Sequence, residues 1–108
     1  MDEQEFKREA DRALTALYKR LSAAGDNADF EADFSAGALA IEFENSRAKF
    51  VISPNAPVRQ IWVSAHSRSF KLDWDAARDT FVLPDTGQTL TDLIRQSISQ
   101  ELGEEIAL

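Results

Sequence analysis

Val51-Ile52-Ser53-Pro54-Asn55-Ala56-Pro57-Val58-Arg59-Gln60-Ile61-Trp62-Val63-Ser64 reads as two strands joined by a stiff connection. Val51 and Ile52 close one apolar run, and Ile61-Trp62-Val63 opens another, rich in the β-branched and aromatic residues that suit a pleated surface. Between them Pro54 and Pro57 each fix φ near about −65° and push the preceding residue toward extended geometry. Such a connection loses little entropy on folding, so it holds its side chains ready for a partner. Successive strand residues point to opposite faces. With Ile61 and Val63 toward a core, Gln60, Trp62 and Ser64 face the other way. An outward Trp among polar residues is a candidate recognition anchor.

The same period of two recurs on both sides of this stretch. Acids alternate with apolar residues in Asp29-Phe30-Glu31-Ala32-Asp33-Phe34, and the pattern returns in Leu39-Ala40-Ile41-Glu42-Phe43-Glu44. Ser35-Ala36-Gly37-Ala38 is expected to be a four-residue hairpin loop, and Asn45-Ser46 a second turn. Lys49 to Ile52, Gln60 to Ala65, a strand with Phe70, Leu72 and Trp74 facing inward, and a short Thr80 to Leu83 complete the run. Helical periodicity brackets it. Phe6, Ala10, Ala13, Leu14, Leu17 and Leu21 mark the apolar face of a helix over residues 2 to about 24, with Gly25 as its stop. Leu90, Leu93, Ile94, Ile98 and Leu102 mark a second, with Thr89 and Asp92 at capping-box spacing and Gly103 at its end. A helix, a run of strands and a helix predict one α+β domain over residues 1–108. Its form is a two-layer sandwich, both helices on one face of a five- to six-stranded antiparallel sheet and the other face open to water.

Composition narrows the function. Nineteen acids against 12 bases give a net charge of −7, which opposes binding to phosphate backbones and suits a cation or a basic partner. Cysteine is absent, which removes disulfides and thiolate chemistry, and the one histidine, His66, lies in a polar loop where it is expected to be solvated. No nucleophile–base–orienter set and no glycine-rich phosphate loop is present. No apolar run reaches the about 20 residues of a membrane span, no signal peptide is expected, and Met1-Asp2-Glu3 argues against an Arg-rich mitochondrial presequence, so the cytoplasm is the expected location.

The chemistry concentrates in the first hairpin. Pairing Phe34 with Leu39 puts Glu31 opposite Glu42 and Asp29 opposite Glu44 on the solvent face, with Asp33 beside them. Like charges across a sheet repel, so the cluster calls for a cation, either a metal or a partner's basic side chain. The donors are all oxygen, which favours hard cations such as iron, manganese, calcium or magnesium, weakly held on an open surface.

Val51-Ile52, Pro57 and Gln60-Ile61-Trp62-Val63-Ser64 together resemble the central signature of the frataxin family, called CyaY in bacteria. The resemblance extends to Glu5-Phe6-x-Arg8-x-Ala10-Asp11, to Leu39-x-Ile41-x-Phe43-Glu44-Asn45, to Asp73-Trp74 and to Gly87-x-Thr89-Leu90-x-x-Leu93, nearly the whole chain. It implies a bacterial regulator of iron–sulfur cluster assembly that binds iron weakly on an acidic ridge. Such a protein docks on the cysteine desulfurase and its scaffold protein, with Asn55, Gln60, Trp62, Ser64 and Lys71 as contacts. An iron-oxidising or iron-storing protein, and a docking domain without iron, are the alternatives. A monomer is expected, with oligomerisation on iron left open.

Two departures from the family pattern bear on this. Where bacterial members gather acids late in the first helix, this chain has Tyr18, Lys19, Ser22, Ala23 and Gly25, so only Asp26, Asp29, Glu31 and Asp33 continue the ridge. Metal is therefore expected on the hairpin, at these residues with Glu42 and Glu44, rather than on the helix. Ser53-Pro54-Asn55 also replaces the family's usual Asn, basic residue and Gln, leaving Asn55 to stand for the Gln contact.

Overall fold

The computed structural model describes residues 1–108. Helix α1 (Glu3–Gly25) leads into strands β1 (Phe30–Ser35), β2 (Ala38–Phe43) and β3 (Lys49–Asn55). A single 3₁₀ turn (Ala56–Val58) precedes β4 (Gln60–Ala65), β5 (Arg68–Asp75) and β6 (Thr80–Val82), and helix α2 (Leu90–Leu102) follows. The strands form one antiparallel sheet in the order β1-β2-β3-β4-β5-β6, each hydrogen-bonded to its neighbour in sequence. Both helices lie on one face. Their stripes, Phe6, Leu14, Leu17 and Leu21 from α1 and Leu93, Ile94 and Ile98 from α2, join the inward residues Leu39, Ile41, Phe50, Ile52, Ile61, Val63, Leu72 and Phe81 in one buried cluster. The expected α+β sandwich is the observed fold.

The helix ends show how local chemistry sets the boundaries. Asp2 is the N-cap of α1 rather than part of its first turn, its Oδ1 accepting from the Glu5 N–H at 2.7 Å. Gly25 does not stop the helix: it lies inside α1, and Asp26 follows as the cap. A Cβ on Gly25 would stand 3.0 Å from the Phe30 carbonyl oxygen, so glycine is needed there for the close approach of β1. In α2 the Thr89 hydroxyl accepts from the Asp92 N–H at 3.2 Å, and Gly103 closes the helix at φ +73°.

The first hairpin has the expected register, Phe34 with Leu39 and Glu31 with Glu42, but a shorter loop. Ser35 pairs with Ala38, leaving a two-residue turn, Ala36-Gly37, with φ +54° and +80°. Positive φ at both central residues matches the right-handed twist of the flanking strands. The 51–64 stretch also pairs further than its apolar run suggests. Pro54 lies opposite Ile61 and Asn55 opposite Gln60, so β3 runs through the first proline, and Arg59, at φ +52°, completes the turn.

Candidate functional site on the open face of the sheet

Alternation along six strands leaves one face without a helix. Residues paired across antiparallel strands share a face. The pairings therefore line up as cross-sheet rows: Glu31, Glu42 and Lys49; Asp33, Ala40, Val51, Ser64 and Ser69; Ser53, Trp62 and Lys71; and Asn55, Gln60 and Asp73. The face is acidic at its β1–β2 end and aromatic at its β4–β5 end. Between them lies a low floor of small residues.

Trp62 is 38% exposed, yet two neighbouring side chains hold it. Its indole Nε1–H donates to Gln60 Oε1 at 3.0 Å, and Gln60 Nε2 donates to Asp73 Oδ1 at 3.0 Å. The Lys71 ammonium lies over the ring, 4.9 Å from its centre. Asp73 fixes the Gln60 amide so that its oxygen faces the indole, and Lys71 restrains the ring. The side chain is thus ordered before any partner arrives. Beside it opens a hollow of about 190 Å³ bordered by Val51, Ser53, Ser64 and Ser69.

The acidic end is spread out rather than convergent. Glu31 and Glu42 face each other, but Lys49 completes their row, with Nζ 3.9 Å from Glu42 Oε1. Asp29 Oδ2 accepts from Asn45 Nδ2 at 3.0 Å, while its backbone carbonyl accepts from the Glu44 N–H and continues the ladder past β1. Asp33 sits in the next row opposite Ala40, and Asp26 caps α1. No three acidic or histidine side chains come together in a group that could hold a metal ion. The oxygen donors fit a hard cation in kind. Their spacing fits a diffuse field rather than a coordination cage.

The frataxin-like domain family matches residues 1–104. The chain belongs to that family. Membership carries a role related to iron–sulfur cluster assembly. Among solved structures, a frataxin from Psychromonas ingrahamii, of the CyaY protein family, shares the fold at a TM-score of 0.84. It is 22% identical, over 98% of this chain and 96% of its own. No helix of the chain is long and apolar enough to cross a membrane.

Within this frataxin fold, Gln60, Trp62, Ser64 and Lys71 share the open face, and Asn55 heads the row that contains Gln60 and Asp73. Two members of the surface escaped the sequence reading. Asp73 orders Gln60 from 13 residues away, and Lys49 enters the acidic row from β3. His66 is an exposed turn residue, as expected, but it has partners: its Nε2 lies 3.0 Å from Glu101 Oε1 on α2, and its ring packs edge-on against Phe50. That contact ties the β4–β5 turn to the second helix, so His66 belongs to the scaffold.

Proposed function

We propose that this frataxin-family chain is an iron-responsive, non-catalytic regulator of iron–sulfur cluster assembly in the bacterial cytoplasm. It docks on a cysteine desulfurase and its scaffold protein through the open sheet face. The observation that carries the reading is Trp62, turned outward and fixed by Gln60 and Lys71 beside a hollow of about 190 Å³. An ordered, partly exposed aromatic loses little freedom on binding, and such residues dominate interface energy. Asn55 and Ser64 add polar contacts around it. The acids at the other end meet a basic surface on the partner, and the small-residue floor lets that surface approach closely.

Iron enters as cargo, held weakly by the carboxylates Asp26, Asp29, Glu31, Asp33, Glu42 and Glu44, and its charge modulates the contact. Dispersed acids with Lys49 among them favour docking over the reading as an iron-oxidising or iron-storing protein.

The electrostatic half is tested by reversing Asp29 and Glu31 to Lys and measuring affinity for the desulfurase at several ionic strengths. Affinity at low salt should fall roughly tenfold, with a flatter salt dependence. Unchanged affinity contradicts it. The iron half is tested by an anaerobic Fe²⁺ titration followed by amide-resolved NMR, with Ca²⁺ as control. Broadening confined to residues 26–33 and 42–44 supports it, and no selective broadening at millimolar iron overturns it.

A further inference from the structure

Strand β5 runs from Arg68 to Asp75, but β6 pairs only with Asp73, Trp74 and Asp75. Pro84 is the physical reason. It has no N–H to continue the ladder and favours a turn. The turn folds back on itself: the N–H groups of Thr86 and Gly87 donate to the Leu83 carbonyl, and the Leu83 N–H donates to the Gln88 carbonyl at 2.8 Å. The chain thus enters α2 without running beside Arg68–Leu72. No hydrogen bond from another segment reaches the outer edge of these residues. An uncovered edge presents alternate N–H and C=O groups to any strand that approaches.

A cleft of about 650 Å³ opens along this edge, bounded by Lys71 and Asp73 toward the open face, Gln96 and Gln100 on α2, and Pro84 and Gln88 at its end. Polar residues, Gln60, Gln88, Gln96 and Gln100 among them, line it more than apolar ones do, which suits a polypeptide main chain. Two cations flank it. The Arg68 guanidinium lies 5.0 Å from the centre of the Phe70 ring and the Lys71 ammonium lies over Trp62, and neither forms a salt bridge. Being three residues apart on one strand, they point to opposite faces of the sheet.

We infer that Arg68–Leu72 takes an extended segment of a partner protein as a seventh, antiparallel strand, with two acidic residues three positions apart placed opposite Arg68 and Lys71. Cross-strand partners share a face, so this spacing puts one carboxylate beside the guanidinium on the helix side and the other beside the ammonium on the open side. Main-chain hydrogen bonds supply affinity and the two acids supply selectivity, as in other strand-addition sites. The strand edge adjoins the Trp62 hollow and shares Ser69, Phe70 and Lys71 with it, while the main-chain groups that would pair face the other way.

The probe is a synthetic Thr/Val-rich peptide with two glutamates at positions i and i+3, titrated into the intact protein. Amide shifts should centre on residues 68–72 and 83–88. Methylating the peptide's amides one at a time should abolish binding at every second position, the signature of a strand paired on one side. Replacing either glutamate by Gln should weaken binding about threefold or more. Arg68→Glu should weaken it similarly and recover with a peptide carrying Lys opposite. Absence of binding at millimolar peptide overturns the inference. So does binding indifferent to amide methylation, or shifts centred on Trp62.

Discussion

The indole N–H of Trp62 donates to Gln60 Oε1 at 3.0 Å, two residues back on the same strand and the same face. The i, i+2 spacing brings the two side chains together, and the cross-strand bond from Gln60 to Asp73 keeps the amide turned the right way. A Trp without those restraints would spend binding energy on being ordered.

With the proposed docking, Gln60→Ala should therefore weaken binding although Trp62 itself is retained. The expected loss is about 1 kcal/mol, roughly fivefold in affinity, with the Trp62 indole resonance shifted in the free protein. Calorimetric titration against the desulfurase–scaffold complex checks the first, and a ¹⁵N spectrum the second.

Lys49 competes with any cation at the β1–β2 end, since it already neutralises Glu42 at 3.9 Å. Lys49→Gln should lower the Mn²⁺ concentration that broadens the amides of Glu31 and Glu42 by about two- to fivefold, the worth of one exposed ion pair. The same substitution should slightly destabilise the hairpin at low salt, because Glu31 and Glu42 then face each other without relief.

Ala36 holds φ +54° in a two-residue turn. Left-handed backbone costs a residue with a Cβ about 1–2 kcal/mol, less for Asn, whose side chain bonds locally. Ala36→Asn makes an Asn-Gly turn of the favoured type and should stabilise the fold by about 0.5–1 kcal/mol in urea denaturation.

Phe81 is fully buried and meets Phe6 edge-on at 5.8 Å and Trp74 at 5.0 Å, joining α1 to the short sixth strand. Phe81→Ala should cost about 3–5 kcal/mol of stability by chemical denaturation. Its loss should leave the Trp62 surface intact in the fraction that remains folded.

Periodicity made the sandwich readable, because each strand alternates and each helix carries one apolar stripe. The opposition of Glu31 and Glu42 also followed, since Phe34 and Leu39 fix the register across the hairpin. The hidden features all depend on partners distant in sequence or on backbone signs that composition conceals. Ala36 gives no hint of positive φ, so the sequence predicts a longer turn than the two-residue one that forms. Lys49 joins the acidic row only once the β2–β3 register is known. Asp73 reads as part of a strand end until β4 and β5 are paired, and His66 finds Glu101 across 35 residues.

The proposed docking through the Trp62 surface is tested by calorimetric titration of Trp62→Ala into the desulfurase–scaffold complex in metal-free buffer. The side chain faces solvent on the open face, so the variant should keep its thermal stability while losing about 2 kcal/mol or more of binding free energy, some thirtyfold in affinity. A folded variant that binds within about twofold of the parent would show that docking does not rest on Trp62.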